Sequence, residues 1–436
     1  MNARVKGAIS SGFGSARQAR SFLDCSPAYR FPNCKDNRAP HPQPRICSRL
    51  VTPARPPFGI LLLTVCGFST LYAPQPLLPV LAEAFGKGPT EASLLITLAM
   101  LPLACAPLVY GYLLVSVPAR PMLAGAALLL ALCQFGLALA DTWWLMLALR
   151  LMIGLCLPAL FTALMTFVAS SATAENLRQS LAWYIAATIL GGFAGRALSG
   201  LVASLWDWRV ALGIWSPALL AMGLWTLRLP GRQESRFVRV TPRVFQVVMA
   251  RPGAPQAYLT VFSIFFVFAA VLNVLPFHMA RQDPGTGTAG IGFAYLGYLS
   301  GLLVSLNTER LSHMFQSEGP LYTLGLGLYA LGLVLFAWSA TGGVYLAMFA
   351  FCGGMFLIHT RLSGQVNQMG GPQRGVVNGI YIAAYYLGGS LGSWLAVEIY
   401  RHLGWLAFLA TVALVLVMAG FGLRGMLRRE ARLASA

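Results

Sequence analysis

Charge is scarce in this sequence. Of its 436 residues only 10% are Asp, Glu, Lys or Arg, against about 25% in ordinary soluble domains. Acids are the scarcer sign: thirteen Asp and Glu stand against thirty-one Lys and Arg. All thirteen fall in tails, in loops or at the ends of apolar runs. Glu398 comes nearest to the interior of one, and Glu83 and Glu91 flank a short loop. The apolar runs therefore hold no mid-run carboxylate to take up a proton. Enzyme signatures are missing as well. There is no Gly-Lys-Ser/Thr phosphate loop, which excludes a P-loop ATP motor. No Ser-His-Asp set and no His/Glu metal cluster stands out. The close glycine pairs lie in apolar runs, without the strand and the acidic ribose partner of a dinucleotide fingerprint. The expectation is no enzyme, no cofactor and no metal. Of eight cysteines, Cys25, Cys34 and Cys47 lack zinc-like spacing, and the other five sit in apolar runs as small hydrophobes. No apolar h-region follows the basic start, which excludes a secretory signal.

What the sequence has is length of apolar run. It is 57% hydrophobic and contains 45 glycines. Twelve spans can be drawn, at 58–82, 92–115, 120–140, 143–170, 178–204, 210–229, 256–279, 289–307, 319–338, 343–367, 375–400 and 404–424. Runs of about 18 or more apolar residues are long enough to cross a bilayer as helices. The fold class is an all-α polytopic membrane protein with twelve transmembrane helices.

Residues 1–57 differ, with ten Lys or Arg, two acids and many prolines. They read as a disordered basic cytoplasmic tail. An over-extended start is the competing reading, since no Met lies between Met1 and Met100. A faint likeness of the first 23 residues to a mitochondrial transit peptide is a third. The first six spans, 58–229, are joined to the second six, 256–424, by a basic cytoplasmic loop at 230–255, and 425–436 form a second tail. With both termini inside, 24 Lys and Arg are cytoplasmic, four are outside (Lys87, Arg209, Arg281, Arg401) and three lie within spans. That asymmetry obeys the positive-inside rule. It also accounts for the net charge of +18 without nucleic acid, because the basic groups face the anionic leaflet.

The chain is internally duplicated. YIAATILGGFAG from Tyr184 returns as YIAAYYLGGSLG from Tyr381, an offset of 197 residues. The pairs Gly191/Gly388, Gly192/Gly389 and Gly195/Gly392 share that offset, as do Phe68/Phe265, Pro79/Pro276 and Trp208/Trp405. One offset over separated segments means two pseudo-symmetric six-helix halves, as in many secondary transporters. Glycines four apart on a helix let a neighbouring backbone come close, so Gly191, Gly192, Gly195, Gly388, Gly389 and Gly392 are read as packing and gating positions. Arg196 sits among them and is read as bracing that packing.

Polar groups inside lipid spans are functional hypotheses by default. They are Arg150 in the fourth span, His359 and Arg361 in the tenth, Gln75 and Asn273 near the duplicated prolines, and Tyr385 and Tyr386 in the eleventh. These seven are assigned to the transport pathway or its coupling. His359 is the titratable choice, since an unperturbed imidazole changes charge near pH ~6.5; a neutral histidine bonded between helices is the equal alternative. Arg150 is a permanent charge that needs partners or water. Arg361 either joins the pathway or snorkels to the cytoplasm. The tyrosines either pack or offer ring faces to flat cations.

These residues resemble a known family. Twelve spans, the six-plus-six duplication and the basic central loop look like the major facilitator superfamily. STLYAPQPLLPVLAEAFG, GGFAGRALSGLVASLWDWR, MFLIHTRLSGQV and YIAAYYLGGSLGSW resemble its acriflavine-sensitivity branch, of drug:proton antiporter type. The resemblance covers about 58–424. It implies that Arg150 and Gly154 occupy the fourth-span antiporter motif, with Ile153 where Gln is usual. Two departures stand out. In GYLLVSVPARP, Val115 and Ser116 replace the Asp and Arg of the usual loop after span two, and in ERLSHMF, His313 replaces the Asp of its counterpart.

The expected function is proton-coupled efflux of small amphipathic or cationic compounds by alternating access. The expected setting is a bacterial inner membrane, crossed many times, with both termini cytoplasmic. The expected partners are a small-molecule substrate, protons and the bilayer, and the expected state is a monomer. Two other readings stay open. One is an importer or facilitator of a small organic solute or anion, with Arg150 and Arg361 as counter-charges. The other is a non-transporting sensor or degenerate paralogue, suggested by the altered loops.

Overall fold

The computed structural model describes residues 56–113, 116–172, 176–229, 234–236, 239–315, 317–338 and 341–435. The expectations for residues 1–55, for Val115 and for 230–233 lie outside the described residues. Twelve helices cross the molecule. We number them α1 (Phe58–Ala84), α2 (Pro89–Leu113), α3 (Ala119–Leu139), α4 (Trp143–Ser171), α5 (Leu177–Leu205), α6 (208–226), α7 (Ala254–Gln282), α8 (Pro284–Met314), α9 (Glu318–Trp338), α10 (Thr341–Met369), α11 (374–403) and α12 (405–435). Ten helical stretches are long and apolar enough to span a membrane as continuous units. The other two crossings arise because α6 is divided at Ile214 and because α11 and α12 run together across Gly404. Gly404 has φ +81°, a left-handed turn that favours glycine. The last helix extends well past 424, as far as Ser435.

The outer surface is apolar, as lipid contact requires: Trp338 is 90% exposed, and Leu414 and Phe421 are exposed too. Arg150, Arg196, Gln75, Asn273, Gln134 and Ser393 turn inward and are buried, as expected where an unpaired polar group in hydrocarbon costs several kcal/mol.

The duplication is visible atom by atom. A Cβ on Gly191 would stand 2.6 Å from the Val65 carbonyl oxygen, and one on Gly195 would stand 2.6 Å from Ser69 backbone atoms. In the second half, a Cβ on Gly388 or Gly392 would overlap the carbonyls of Phe262 and Phe266. Val65/Phe262 and Ser69/Phe266 carry the same offset of 197 residues. So α5 lies on α1 as α11 lies on α7, with backbone against backbone.

α1 is broken in the middle. Pro74 and Pro76 have no N–H to give to the carbonyls of Thr70 and Tyr72, four residues earlier. The helix stops at Tyr72, passes through a 3-10 turn at Gln75–Leu77, and resumes at Leu78. At the offset positions α7 has Val271 and Asn273 in place of those prolines, and it runs on as helix through Pro276.

The halves meet along two seams. On one, α2 lies against α11: Thr90 donates to Glu398, Thr97 Oγ1 and Ser393 Oγ are 2.8 Å apart, and the Met100 methyl lies over Gly389. On the other, Gly200 of α5 faces Thr288 and Gly292 of α8, backbone to backbone. Between the seams, α1 touches α7 through residues 75–84. The molecule is thus sealed at the face opposite the described termini. The linker also folds back. Its residues β2 (Glu234–Arg236) pair antiparallel with β1 (Ser116–Pro118) of the altered loop, and Ser235 Oγ donates to Thr166 Oγ1 of α4 at 3.1 Å. At its far end, Arg251 bonds to Met369 O and, at 2.8 Å, to Gln373 of the second half.

Candidate functional site

Arg150 is fully buried. All three guanidinium nitrogens donate to backbone carbonyls: Nε to Leu95 (2.5 Å), Nη1 to Thr70 (2.8 Å) and Nη2 to Leu71 (2.6 Å). Thr70 is the residue that Pro74 leaves without a helical partner. Arg150 therefore caps the break in α1 and ties it to α2. Gly154, one turn on, lets α4 reach that site, since a Cβ there would stand 2.7 Å from Ala99 O.

Arg196 is 1% exposed and has different neighbours. Nε donates to Gln75 Oε1 and Nη1 to Gly192 O, both at 2.6 Å. Three ring faces surround its central carbon: Tyr72 at 4.0 Å, Tyr298 at 4.7 Å and Tyr295 at 5.0 Å. Tyr72 belongs to the first half, and Tyr295 and Tyr298 to the second. Such contacts stabilise a desolvated cation by about 2 kcal/mol. Among the described residues no carboxylate pairs with it.

From Arg196 a polar chain crosses the molecule. Gln75 Nε2 donates to Asn273 Oδ1 (2.9 Å), Asn273 Nδ2 donates to Ser393 O (2.9 Å), and Ser393 Oγ meets Thr97 Oγ1 (2.8 Å). All five residues but Thr97 are buried, and Thr97 is half-buried. The chain passes from one half to the other at Gln75–Asn273 and at Ser393–Thr97, and the tyrosine cage of Arg196 makes a third crossing.

An aromatic run leads away from the cage. Tyr298 lies 5.6 Å from Phe268, Phe268 stacks on Phe265, and Phe265 stacks on Tyr385 with centroids 3.5 Å apart. Tyr385 is 4.8 Å from the His359 ring, and Tyr386 meets Tyr385 edge-on at 5.1 Å. His359 Nδ1 is 3.0 Å from the Tyr381 hydroxyl.

The structure thus brings Gln75 into direct contact with both Asn273 and Arg196, and it brings His359, Tyr385 and Tyr386 onto one wall. It does not bring Arg150 or Arg361 to that wall. Arg361 makes a two-pronged ion pair with Glu318 at the start of α9, both partly exposed. Gly191, Gly195, Gly388 and Gly392 are backbone contact points. Gly192 and Gly389 instead face the cage and the aromatic wall, beside Tyr298 and Phe265 respectively. Sequence reasoning missed Tyr72, Tyr295, Tyr298, Phe265, Thr97 and Ser393. Ser393 had a signal, for it stands at the duplicate position of Arg196. Tyr295 and Tyr298 had none, because nothing in the chain pairs span eight with span five.

A profile of the Major Facilitator Superfamily matches residues 60–366. The chain belongs to that superfamily. It is a multi-pass membrane transporter and not an enzyme. The inner membrane transport protein YnfM of Escherichia coli K12 is 26% identical over 358 residues, covering 81% of this chain and 85% of that protein. The MFS-type transporter YybF of Bacillus subtilis 168 is 22% identical over 390 residues, covering 84% and 91%. A solved structure of a bacterial homologue of the human lysosomal transporter Spinster, inward-facing and occupied, superposes with a TM-score of 0.63 at 12% identity, over 84% of this chain and 95% of that one. That likeness concerns the fold.

Proposed function

We propose that this superfamily member is a secondary active transporter of a bacterial inner membrane that exports small amphipathic organic compounds in exchange for protons. The observation that carries the reading is the aromatic run from His359 to Tyr298, which ends on Arg196 at the seam between the halves. Ring faces bind flat apolar bodies, and a few convergent polar groups orient them, as in most small-molecule sites. His359 abuts the run and takes the proton-carrying role, with the Tyr381 hydroxyl as its hydrogen-bond neighbour. The resemblance to the acriflavine-sensitivity branch supports the outward direction. With both termini cytoplasmic, as the positive-inside rule argues, the sealed face is the outer one. Alternating access then requires the polar chain to break at Gln75–Asn273 and Ser393–Thr97, and α8 to leave Arg196.

The test is dye accumulation in cells expressing the chain. An uncharged amphiphile, N-phenyl-1-naphthylamine, and a cationic dye, ethidium, are compared with and without a protonophore, in wild type and His359→Ala. The reading expects low accumulation of the uncharged dye, lost on adding protonophore and in the variant. Export that survives the protonophore sinks the proton part. Full accumulation in every case sinks export and moves the weight to solute uptake or to a non-transporting role.

A further inference from the structure

Arg196 is a permanent charge held in a site that only partly satisfies it. A guanidinium has five N–H groups. Among the described residues those of Arg196 make two hydrogen bonds, to Gln75 and Gly192. Three N–H groups, two of them on Nη2, have no acceptor. Arg150, just as deep, uses all three of its nitrogens on carbonyls. The tyrosine faces that surround Arg196 attract its charge but accept no in-plane N–H. Those faces are also divided between the halves. The two hydrogen bonds and Tyr72 are made within the first half, so they persist when the halves part. Tyr295 and Tyr298 belong to α8 and leave with it.

Once α5 and α8 separate, the guanidinium would stand at the seam with three donors unused. Its planar fork matches a carboxylate or sulfonate two-pronged, which a point charge does not. Tyr72 on one side, and Tyr298 leading to Phe268 on the other, would flank a flat body attached to that anion. No described carboxylate touches the cage or the aromatic run, so an organic cation has no counter-charge there and an organic anion has one.

We propose that Arg196 is a gated recognition point for the anionic group of a flat organic acid, closed off in the state described here and presented when α5 and α8 part. The inference rests on the alternating-access part of the transport reading and not on its outward direction, because the seam that would present Arg196 lies at the outer face, and it names the class of solute met there.

The experiment is equilibrium binding of radiolabelled 2-naphthoate to the purified full chain in detergent. 2-Naphthamide and 2-naphthylmethylammonium serve as uncharged and cationic competitors. Naphthoate should bind, the amide should compete at least about tenfold less well, and the ammonium least. Loss of charge-assisted hydrogen bonds corresponds to about a tenfold to hundredfold loss of affinity, and that is the expected effect of Arg196→Gln, with Arg196→Lys in between. A Thr97→Cys/Ser393→Cys chain, oxidised to hold the seam shut, should not bind naphthoate until it is reduced. Equal affinity for the three compounds, preference for the ammonium, no binding of naphthoate, or unaltered binding by folded Arg196→Gln would overturn the proposal. If Arg196→Gln does not fold, the ranking of the three compounds by wild type and the effect of oxidation decide alone. Dye export by cells separates the two failures: export of the uncharged dye with no naphthoate binding refutes only the anion site, while neither activity refutes the transport reading as well.

Discussion

Arg150 and Arg196 are equally deep in the same half, and they teach different things. Arg150 bonds within its own half: Thr70 and Leu71 offer carbonyls that Pro74 and the 3-10 turn set free, and Leu95 of α2 offers the third. Arg196 is shared between the halves through its tyrosines and through Gln75 and Asn273. At the offset of 197 residues Arg150 becomes Ala347 and Arg196 becomes Ser393. The second half lacks those prolines, the break and the arginine together: with Val271 and Asn273 in α7, there is no broken helix to cap. The backbone contacts of Gly191 and Gly195, by contrast, recur at Gly388 and Gly392. Packing was duplicated; buried charge was not. What a buried arginine does is therefore set by its partners and not by its depth.

The comparison can be broken at several strengths. Arg150→Met should have the largest effect on stability, about 2–5 kcal/mol, because it leaves two or three buried carbonyls without a donor. Thermal unfolding of the purified chain measures it, and a near-neutral result would remove Arg150 from the capping role. Next, Gly195→Val and Gly392→Val should each cost about 1–3 kcal/mol by overpacking against backbone. They should do so about equally, since both meet the partner helix at the same register; a large inequality in unfolding temperature would mean that the contacts are not equivalent. Arg196→Gln should cost less stability than Arg150→Met, under about 2 kcal/mol, because fewer hydrogen bonds are lost. It should still stop transport, so the order of the two arginines inverts between a stability assay and a transport assay. Smallest is Glu318→Gln. It breaks the pair with Arg361, whose side chains are 28% and 29% exposed, and exposed pairs contribute about 0.2–1 kcal/mol. Dye export should be unchanged; a large loss would restore Arg361 to the pathway.

Much of the fold was legible because lipid imposes it. Every span had to be a long apolar helix, and the offset of 197 residues gave the two halves before any contact was known. The break in α1 was less visible: Pro74 and Pro76 flank Gln75 inside a run that is apolar on both sides. The interruption of α6 at Ile214 did have a signal, since it lies between Gly213 and Pro217, and Pro217 has no N–H to give to the Gly213 carbonyl. The site was legible where polarity alone marked it, as at Gln75, Asn273, His359 and Arg196. It was hidden where the role depends on which span faces which. Tyr295 and Tyr298 are ordinary aromatics in the sequence and become a cage only because Gly200 and Gly292 let α5 and α8 touch. Arg361 shares α10 with His359 and was open to either the pathway or the cytoplasm; two residues along a helix turn a side chain away, here to Glu318.

The central claim is that the polar chain from Arg196 to Thr97 opens in every transport cycle. A Thr97→Cys/Ser393→Cys chain, with Cys105 replaced by Ala, tests it most directly, because the native oxygens are only 2.8 Å apart. Export of N-phenyl-1-naphthylamine is followed before oxidation, after it, and after reduction. The account predicts that the disulfide abolishes export and that reduction restores it. Export at the full rate with the disulfide formed would contradict it.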